Sequence, residues 1–234
     1  MSLKNIFIAS FGKFGQYAAN SGEQIMKALR GSRHPSGPQW YYGDTFPATI
    51  PEYDRGALVL GLARQYHASG IIALGMASDK RVPTIELEAR NQNDSRYCPL
   101  EYNLGRIDTG TSERNRVRVN LHAWNTDRFI RRAVDANLAA PAISADAGGF
   151  CCNHLIYQMW HAQQRQSESA RVPWIFLHIP CSPEAVSKAQ RAEFDRAGKV
   201  HMQVETIIRY IHLLVASAEL PDAEKLYPTE TAAV

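Results

Sequence analysis

Short apolar segments alternate with helix-like segments along this chain of 234 residues, and this alternation constrains the fold more than any other feature. Apolar runs of a few residues are typical of buried strands, and apolar residues that recur every three or four positions are typical of helices. Strands are predicted over residues 5–9, 71–76, 84–91, 142–145 and 174–179, and helices over residues 21–29, 52–67, 128–136, 152–163 and 200–215. This order favours an α/β fold, a three-layer α/β/α sandwich with a mostly parallel central sheet.

Two of the helices carry more detailed predictions. In the helix over residues 52–67, Leu58 and Leu62 lie on one face, and Gly70 is predicted to end it, because glycine is common just past a helix C-terminus. The helix over residues 200–215 is the most clearly amphipathic. Its apolar positions are Val200, Val204, Ile207, Ile208, Ile211 and Val215.

The chain has no internal repeat and no linker. Residues 1–220 are therefore predicted to form a single domain. The tail over residues 221–234, which contains Pro221 and Pro228, is predicted to be loosely ordered.

Composition excludes several classes of protein. The chain is 45% hydrophobic and 21% charged, which is typical of a globular protein. A net charge of +3 is too small to predict a nucleic-acid partner, and the basic stretch over residues 114–118 is interpreted as a solvated strand face or a loop. No apolar run approaches the roughly 18 residues of a membrane-spanning helix, so no membrane partner is predicted.

The cysteines point to a reducing compartment. The apolar run over residues 6–9 is too short for a secretion signal, and of the four cysteines, Cys151 and Cys152 are adjacent, which suits a disulfide framework poorly. Reduced thiols in the cytoplasm are expected. No Cys-x-x-Cys pair is present, so a zinc site is not predicted.

Cys152 is a candidate nucleophile. It follows a predicted strand and the Gly148-Gly149 turn, and it opens a predicted helix. A thiol at a helix N-terminus meets the positive end of the helix dipole, which favours the reactive thiolate. A cysteine at such a junction is also often simple buried packing, and this signal does not separate the two.

His178 and Glu86 are candidates for the base and its partner. His178 stands near the end of a predicted strand, where it can reach the same crevice and exchange protons with a thiol, although a buried histidine satisfied by hydrogen bonds fits equally well. Glu86 is a charged residue in an apolar stretch, which needs a partner and can orient an imidazole. Glu88, on the same face, competes for this role, and a plain salt bridge is the alternative for either.

Four motifs, in one order along residues 5–215, resemble those of pyroglutamyl peptidase I enzymes. Residues 146–155 resemble the family's nucleophile segment, in which an Ala-Gly turn leads into Cys-Asn, and residues 176–180 resemble its Phe-x-His-x-Pro strand. Residues 11–15 resemble its Phe-x-Pro-Phe-Gly loop, followed by Asn20 and Ser21. The fourth motif, the family's Glu box, matches Glu86, Asn91, Asn93, Asp94 and Arg96.

The resemblance implies a cysteine peptidase that removes an N-terminal 5-oxoproline from small peptides, with Cys152 as nucleophile, His178 as base and then acid, and Glu86 orienting the histidine. It implies no metal and no organic cofactor. It also implies a homo-oligomer, a dimer or tetramer. The residues that it places around the substrate are Phe11, Phe14 and Phe150, against the flat lactam ring, and Arg96, near the reacting group.

The chain departs from the family pattern at positions that bear on the substrate. Lys13 replaces a proline, Met76 replaces a glutamine that helps to hold the lactam in some members, and Ala48 replaces a hydroxyl-bearing or valine residue. Two alternatives therefore stay open: a related cysteine amidohydrolase with a shifted substrate, and a ligand-binding member that no longer catalyses a reaction.

Overall fold

The computed structural model describes residues 5–30, 39–48, 54–93, 106–107, 115–221 and 226, and of residues 39–44 and 188–190 it describes the backbone alone. Its main sheet has six strands in the order β2-β1-β3-β8-β4-β7, and each neighbouring pair is parallel except β4 and β8. A separate antiparallel ribbon pairs β5 with β6. The strands are β1 (Asn5–Phe11), β2 (Gln39–Phe46), β3 (Gly70–Met76), β4 (Thr84–Glu86), β5 (Glu88–Arg90), β6 (Arg116–Arg118), β7 (Ala142–Ser144) and β8 (Trp174–Ile179).

Helices cover both faces of the sheet and bury its alternating apolar side chains. The helices are α1 (Ser21–Leu29), α2 (Arg55–Gln65), α3 (Thr126–Asp135), α4 (Cys151–Gln164), α5 (Lys188–Arg196) and α6 (Val204–Ser217). One core lies between the sheet and the helices α2 and α4, and a second lies between the sheet and the helices α1, α3 and α6. The predicted fold class is confirmed.

The period of two along a strand decides which side chains can meet at α4. In β8, Phe176 lies in the core under α2 and α4, whereas Ile175, Leu177 and Ile179 lie in the opposite core. His178 therefore shares the α4 face with Phe176, and the two rings meet edge to face with centroids 5.2 Å apart. In β4, Ile85 belongs to the opposite core, so Glu86 also faces α4.

The predicted strand over residues 84–91 is wrong as one element. The chain forms two short strands in two different sheets, β4 and β5, separated by Leu87. The Leu87 N–H donates to Ser144 O of the main sheet, and Leu87 O accepts from Val119 N beyond the ribbon. The chain thus switches sheets at this residue, which an alternating pattern does not reveal.

Two predicted helices, over residues 52–67 and 200–215, differ from the structure. In the described chain α2 begins at Arg55, preceded by its cap Asp54, and it buries Val59, Leu60 and Ala63, whereas Leu58 is 41% exposed. Gly70 does not end this helix. It opens β3, where a Cβ atom would lie 2.9 Å from Leu220 Cδ1.

The last helix begins at Val204, and Val200 lies before it, 39% exposed. Sequence analysis did not predict β2 or α5. Within the basic stretch, Arg116 and Arg118 are the exposed residues of β6, as expected of a solvated strand face. Most of the tail over residues 221–234 lies outside the described residues. Among the helices described, none is long and apolar enough to cross a membrane.

Candidate active site

A cavity of about 630 Å³ opens near the carboxyl ends of β1, β3 and β8, beside the start of α4. Open α/β sheets commonly bind ligands at this edge. The predicted Phe11, Phe14, Phe150, Cys152 and His178 all line it. The other described lining residues are Gly15, Asn20, Ala48, Met76, Asp79, Ala147, Gly148, Gly149 and Cys151.

Cys152 is the second residue of α4, and its half-buried thiol faces the cavity. The preceding turn includes Gly148 with φ of +83°, a left-handed conformation that glycine adopts without strain. A Cβ atom on Gly75 of β3 would lie only 2.7 Å from Cys152 Sγ. Gly75 pairs with His178 in the β3–β8 register, so the missing side chain makes room for the thiol beside the histidine strand.

Glu86 and His178 form a buried pair. His178 Nδ1 lies 2.7 Å from Glu86 Oε1, the carboxyl group is fully buried, and the histidine is 6% exposed. A carboxylate only accepts hydrogen bonds, so Nδ1 carries the proton in this pair and Nε2 is left to accept one. The competitor Glu88 instead contacts Arg116 of the ribbon, with its Oε2 3.3 Å from Nη1.

The electrostatic surroundings keep the resting thiol protonated. A hydrogen bond with the Cys151 thiol, and then burial, raise the pKa of Cys152 well above its ordinary value, and the negative charge of Glu86 adds to the rise. The buried Arg55 guanidinium lowers the pKa of Cys152, but this effect is smaller. The helix dipole was expected to favour a thiolate. The structure indicates instead a thiol that must pass its proton to a base when it reacts.

The Glu86 carboxylate also has a cationic neighbour. Lys80 Nζ lies 3.6 Å from the same Oε1 atom that contacts the histidine. The lysine side chain is 21% exposed, whereas that of Glu86 is fully buried. This ion pair places a positive charge beside the buried Glu86–His178 pair.

Three phenylalanines form the apolar walls of the cavity. Phe11 is buried at the end of β1, and Phe14 and Phe150 are partly exposed toward the open space. Behind Phe11, the guanidinium carbon of Arg55 lies 5.4 Å from the ring centroid, and it lies 5.5 Å from the Phe46 ring. A cation over an aromatic face is attracted to the ring quadrupole, and this attraction helps to hold the Phe11 ring in place.

A family model described as pyroglutamyl peptidase matches residues 4–219. The chain belongs to the pyroglutamyl peptidase family. A pyrrolidone-carboxylate peptidase of Bacillus cereus is 31% identical over 217 residues, which are 91% of this chain and 92% of that protein. One of Bacillus cytotoxicus is 27% identical over 221 residues, 92% of this chain and 93% of that protein.

Solved structures agree at the level of the fold. Pyroglutamyl peptidase I of Bacillus amyloliquefaciens superposes with a TM-score of 0.73 at 20% identity, over 94% of this chain and 97% of that one. The pyrrolidone carboxyl peptidase of Thermococcus litoralis gives 0.71 at 23% identity, over 92% and 93%. The family comprises cysteine peptidases, so the prediction of a cysteine peptidase is confirmed.

Two of the three positions that depart from the family pattern line the cavity. Met76 is 5% exposed, and its Sδ atom accepts contacts from Ser21 N at 3.4 Å and Ser21 Oγ at 3.2 Å. Ala48 also lines the cavity. Lys13 is exposed, and it is not among the lining residues. The predicted Arg96 lies outside the described residues.

Sequence analysis missed several residues around the site. Asp79 lines the cavity, Arg55 lies behind its aromatic wall, and Arg90 contacts the turn before Cys152. An arginine at the start of a helix or on a short strand normally extends into solvent, so no local pattern distinguishes these two. Among the described residues no cluster of three or more histidine, cysteine or acidic side chains is arranged to hold a metal ion.

Proposed function

We propose that this chain is a cysteine omega-peptidase that hydrolyses the amide bond after an N-terminal pyroglutamyl (5-oxoproline) residue of small peptides. The observation that carries the proposal is the convergence of a thiol, a carboxylate-bound imidazole and three phenylalanines on one cavity. The names of the relatives, pyrrolidone-carboxylate peptidase and pyroglutamyl peptidase I, support the same substrate.

In the proposed acylation step, Cys152 Sγ attacks the carbonyl carbon of the pyroglutamyl group while His178 Nε2 takes the thiol proton. Glu86 accepts the Nδ1–H bond at 2.7 Å and stabilises the imidazolium that forms. When the tetrahedral intermediate collapses, the C–N bond breaks and the imidazolium gives its proton to the leaving amine. The product of this half-reaction is a thioester on Cys152.

In the proposed deacylation step, water takes the place of the amine. His178 removes a proton from the water, and the hydroxide attacks the thioester carbonyl carbon. The C–S bond then breaks, Cys152 regains its proton, and free 5-oxoproline is released. In both steps the negative oxygen needs hydrogen-bond donors, and the backbone N–H groups of the turn over residues 149–152 are the proposed donors.

The apolar walls of the cavity favour a substrate group that is uncharged and flat. 5-Oxoproline is a lactam, so its nitrogen carries no positive charge, and its ring can lie against the faces of Phe14 and Phe150. An ordinary peptide N-terminus is a cation. Burying it against these rings would remove its hydration, which is unfavourable without a partner.

A second candidate function is a cysteine amidohydrolase with a shifted substrate. The observation that favours it is the presence of Met76 and Asp79 in the cavity lining. A thioether is a poor hydrogen-bond partner for a lactam amide, and a carboxylate favours a cationic group on the leaving side of the scissile bond.

The test is hydrolysis of a fluorogenic pyroglutamyl amide by the wild-type chain and by Cys152→Ser and Cys152→Ala. We expect turnover by the wild type and its loss in both variants. Cys181→Ala is the matched control, because this buried cysteine lies outside the cavity and should leave turnover unchanged. No turnover of this amide, with Cys152-dependent turnover of another substrate in a panel of small amides, would favour the second candidate, and no turnover of any of them would favour a non-catalytic protein.

We also propose that the chain forms a dimer or tetramer of identical subunits, as its resemblance to the family implies, and that it acts in the cytoplasm, where its cysteines would stay reduced. Light scattering of the purified chain at several concentrations tests the first point, and a monomer at all of them would refute it. Fractionation of the source cells tests the second.

A further inference from the structure

The turn before the nucleophile is held in place largely by polar side chains. The Gly148 N–H donates to Asp146 Oδ1 at 3.0 Å, and the Asp146 N–H donates to Ser144 Oγ at 3.0 Å. Gly148 and Gly149 line the cavity, one and two residues past Ala147. Two consecutive glycines permit many backbone conformations, so the orientation of their peptide groups depends on these contacts.

Arg90, from the two-stranded ribbon, contacts this turn directly. Its Nη2 atom donates to Asp146 Oδ1 at 2.8 Å and to Gly148 O at 3.2 Å. Arg90 is not among the residues that line the cavity. Its guanidinium therefore contacts the turn without lining the cavity.

The backbone of Arg90 is tied to the other side of the nucleophile. Its N–H donates to Asn153 Oδ1 at 2.7 Å, and its carbonyl oxygen accepts from Asn153 Nδ2 at 2.9 Å. Asn153 is fully buried and directly follows Cys152. Arg90 thus connects the chain before Cys152 with the chain after it.

The contact with Gly148 O has a consequence for the next peptide group. In a trans peptide the carbonyl oxygen and the following N–H point in opposite directions. Because Arg90 donates to Gly148 O, the Gly149 N–H points away from the Arg90 guanidinium. We infer that Arg90 is a positioning residue, which orients the Gly148–Gly149 peptide so that the Gly149 N–H donates to the negative oxygen of the tetrahedral intermediate. This inference rests on the proposed function.

If Arg90 had a purely structural role, its loss would lower the melting temperature and weaken the binding of all ligands alike. A positioning role predicts a selective loss. The Arg90 and Asp146 side chains are 41% and 67% exposed, and exposed ion pairs contribute little to stability. Loss of Arg90 should therefore leave the melting temperature nearly unchanged. It should reduce the binding of a tetrahedral adduct, whose oxygen needs the donor, and leave the binding of the flat lactam ring unchanged.

The experiment compares Arg90→Met and Arg90→Lys with the wild type. It measures kcat and KM for the pyroglutamyl amide, the inhibition constant of the aldehyde analogue of pyroglutamate, which forms a tetrahedral adduct with the thiol, and the inhibition constant of 2-pyrrolidone. For Arg90→Met we expect kcat and the affinity for the aldehyde to fall together by about 10-fold, with KM and the affinity for 2-pyrrolidone within about twofold. Arg90→Lys, which keeps the charge, should restore part of the loss.

Arg116→Met is the matched control. Arg116 lies on the partner strand of the same ribbon and also forms an exposed ion pair, but its partner is Glu88 of the ribbon and not the turn. It should behave as the wild type in all four measurements. An Arg90→Met protein with wild-type kcat would overturn the inference alone. So would one whose affinity for 2-pyrrolidone falls as strongly as its affinity for the aldehyde. A wild-type chain without turnover would overturn the proposed function and the inference with it.

Discussion

The two sides of the cavity differ in how they are built. On one side, Glu86 and His178 project from neighbouring strands of the central sheet, and both are almost completely buried. On the other side, Phe14 and Phe150 lie outside regular strands and helices and are partly exposed. Glu86 and His178 match the family, whereas two of the three positions that depart from it, Lys13 and Ala48, lie outside the strands, and the third, Met76, ends β3. The histidine and its carboxylate partner are thus held by the sheet, and most of the changes that bear on the substrate lie outside it.

The strongest test of the strand side is His178→Ala. The thiol has a raised pKa and needs a base, so we expect kcat/KM for the pyroglutamyl amide to fall on the order of 10²–10⁴-fold. His122→Ala, at an exposed position outside the cavity, is the control and should retain full activity. A loss of less than about tenfold in His178→Ala would mean that another group takes the proton.

The next largest effect is expected at Gly75. In Gly75→Ala the new methyl group would lie 2.7 Å from Cys152 Sγ and 2.8 Å from Phe176 Cζ, so the thiol or the strand must shift. We expect a destabilisation of about 1–3 kcal/mol in urea unfolding and a fall in kcat of at least about tenfold.

Gly61→Ala provides a control with the opposite sign. Gly61 lies within α2, and a Cβ atom there would have no neighbour within 4 Å. Because alanine favours a helix more than glycine does, this variant should be more stable by about 0.5–1 kcal/mol. If Gly75→Ala were as stable and active as Gly61→Ala, the close approach of the thiol to β3 would be wrong.

A smaller effect is expected from Cys151, the first cause of the raised thiol pKa. Cys151→Ala removes the hydrogen bond to Cys152, so the pKa of Cys152 should fall and alkylation by iodoacetamide at about pH 7 should become several times faster. The raised pKa of Cys152 also makes the stability of the folded protein depend on pH. A thiol with a raised pKa keeps its proton more tightly in the folded state, so this contribution to the free energy of unfolding is lost as pH rises above the ordinary thiol range.

The measurement is the pH dependence of alkylation, compared between wild type and variant. Cys181→Ala is the control, because burial raises the pKa of Cys181 to about 12 and its thiol lies outside the cavity. It should leave the alkylation profile of Cys152 unchanged. An unshifted profile in Cys151→Ala would remove the neighbouring thiol as the cause.

The smallest expected effect tests the substrate side. Met76→Gln places an amide where some family members have one, and we expect KM for the pyroglutamyl amide to fall several-fold with kcat nearly unchanged. Met76→Leu keeps an apolar side chain and should leave KM within about twofold of the wild type. A higher KM in Met76→Gln would indicate a substrate other than the lactam, and would favour the second candidate function.

The sequence predicts the fold class well because buried strands and amphipathic helices leave periodic patterns. It predicts element boundaries less well. β2 has the sequence Gln-Trp-Tyr-Tyr-Gly-Asp-Thr-Phe, in which Gly43, Asp44 and Thr45 separate the aromatic residues, so it lacks the continuous aliphatic run of a buried strand. The change of sheet at Leu87 depends on contacts with Ser144 and Val119, which are distant in sequence.

The residues of the candidate site also divide into those that local sequence predicts and those that depend on distant contacts. Motif resemblance predicts five cavity residues and the partner of the histidine, because these positions share local sequence with the family. Arg55 and Arg90 were not predicted, because their roles depend on contacts that no local pattern encodes: Arg55 lies behind an aromatic wall, and Arg90 reaches the turn from a strand 56 positions away from Asp146.

The separation between Glu86 and His178 has a consequence for the chain during its synthesis. These residues are 92 positions apart, and the histidine belongs to β8, which lies between β3 and β4 in the sheet although it follows both in sequence. A nascent chain that has exposed Cys152 but not yet β8 has a thiol without a base, in a sheet whose middle strand is missing. Domains generally fold as units as they leave the ribosome. In the proposed mechanism the active site is therefore complete only when the sheet is complete.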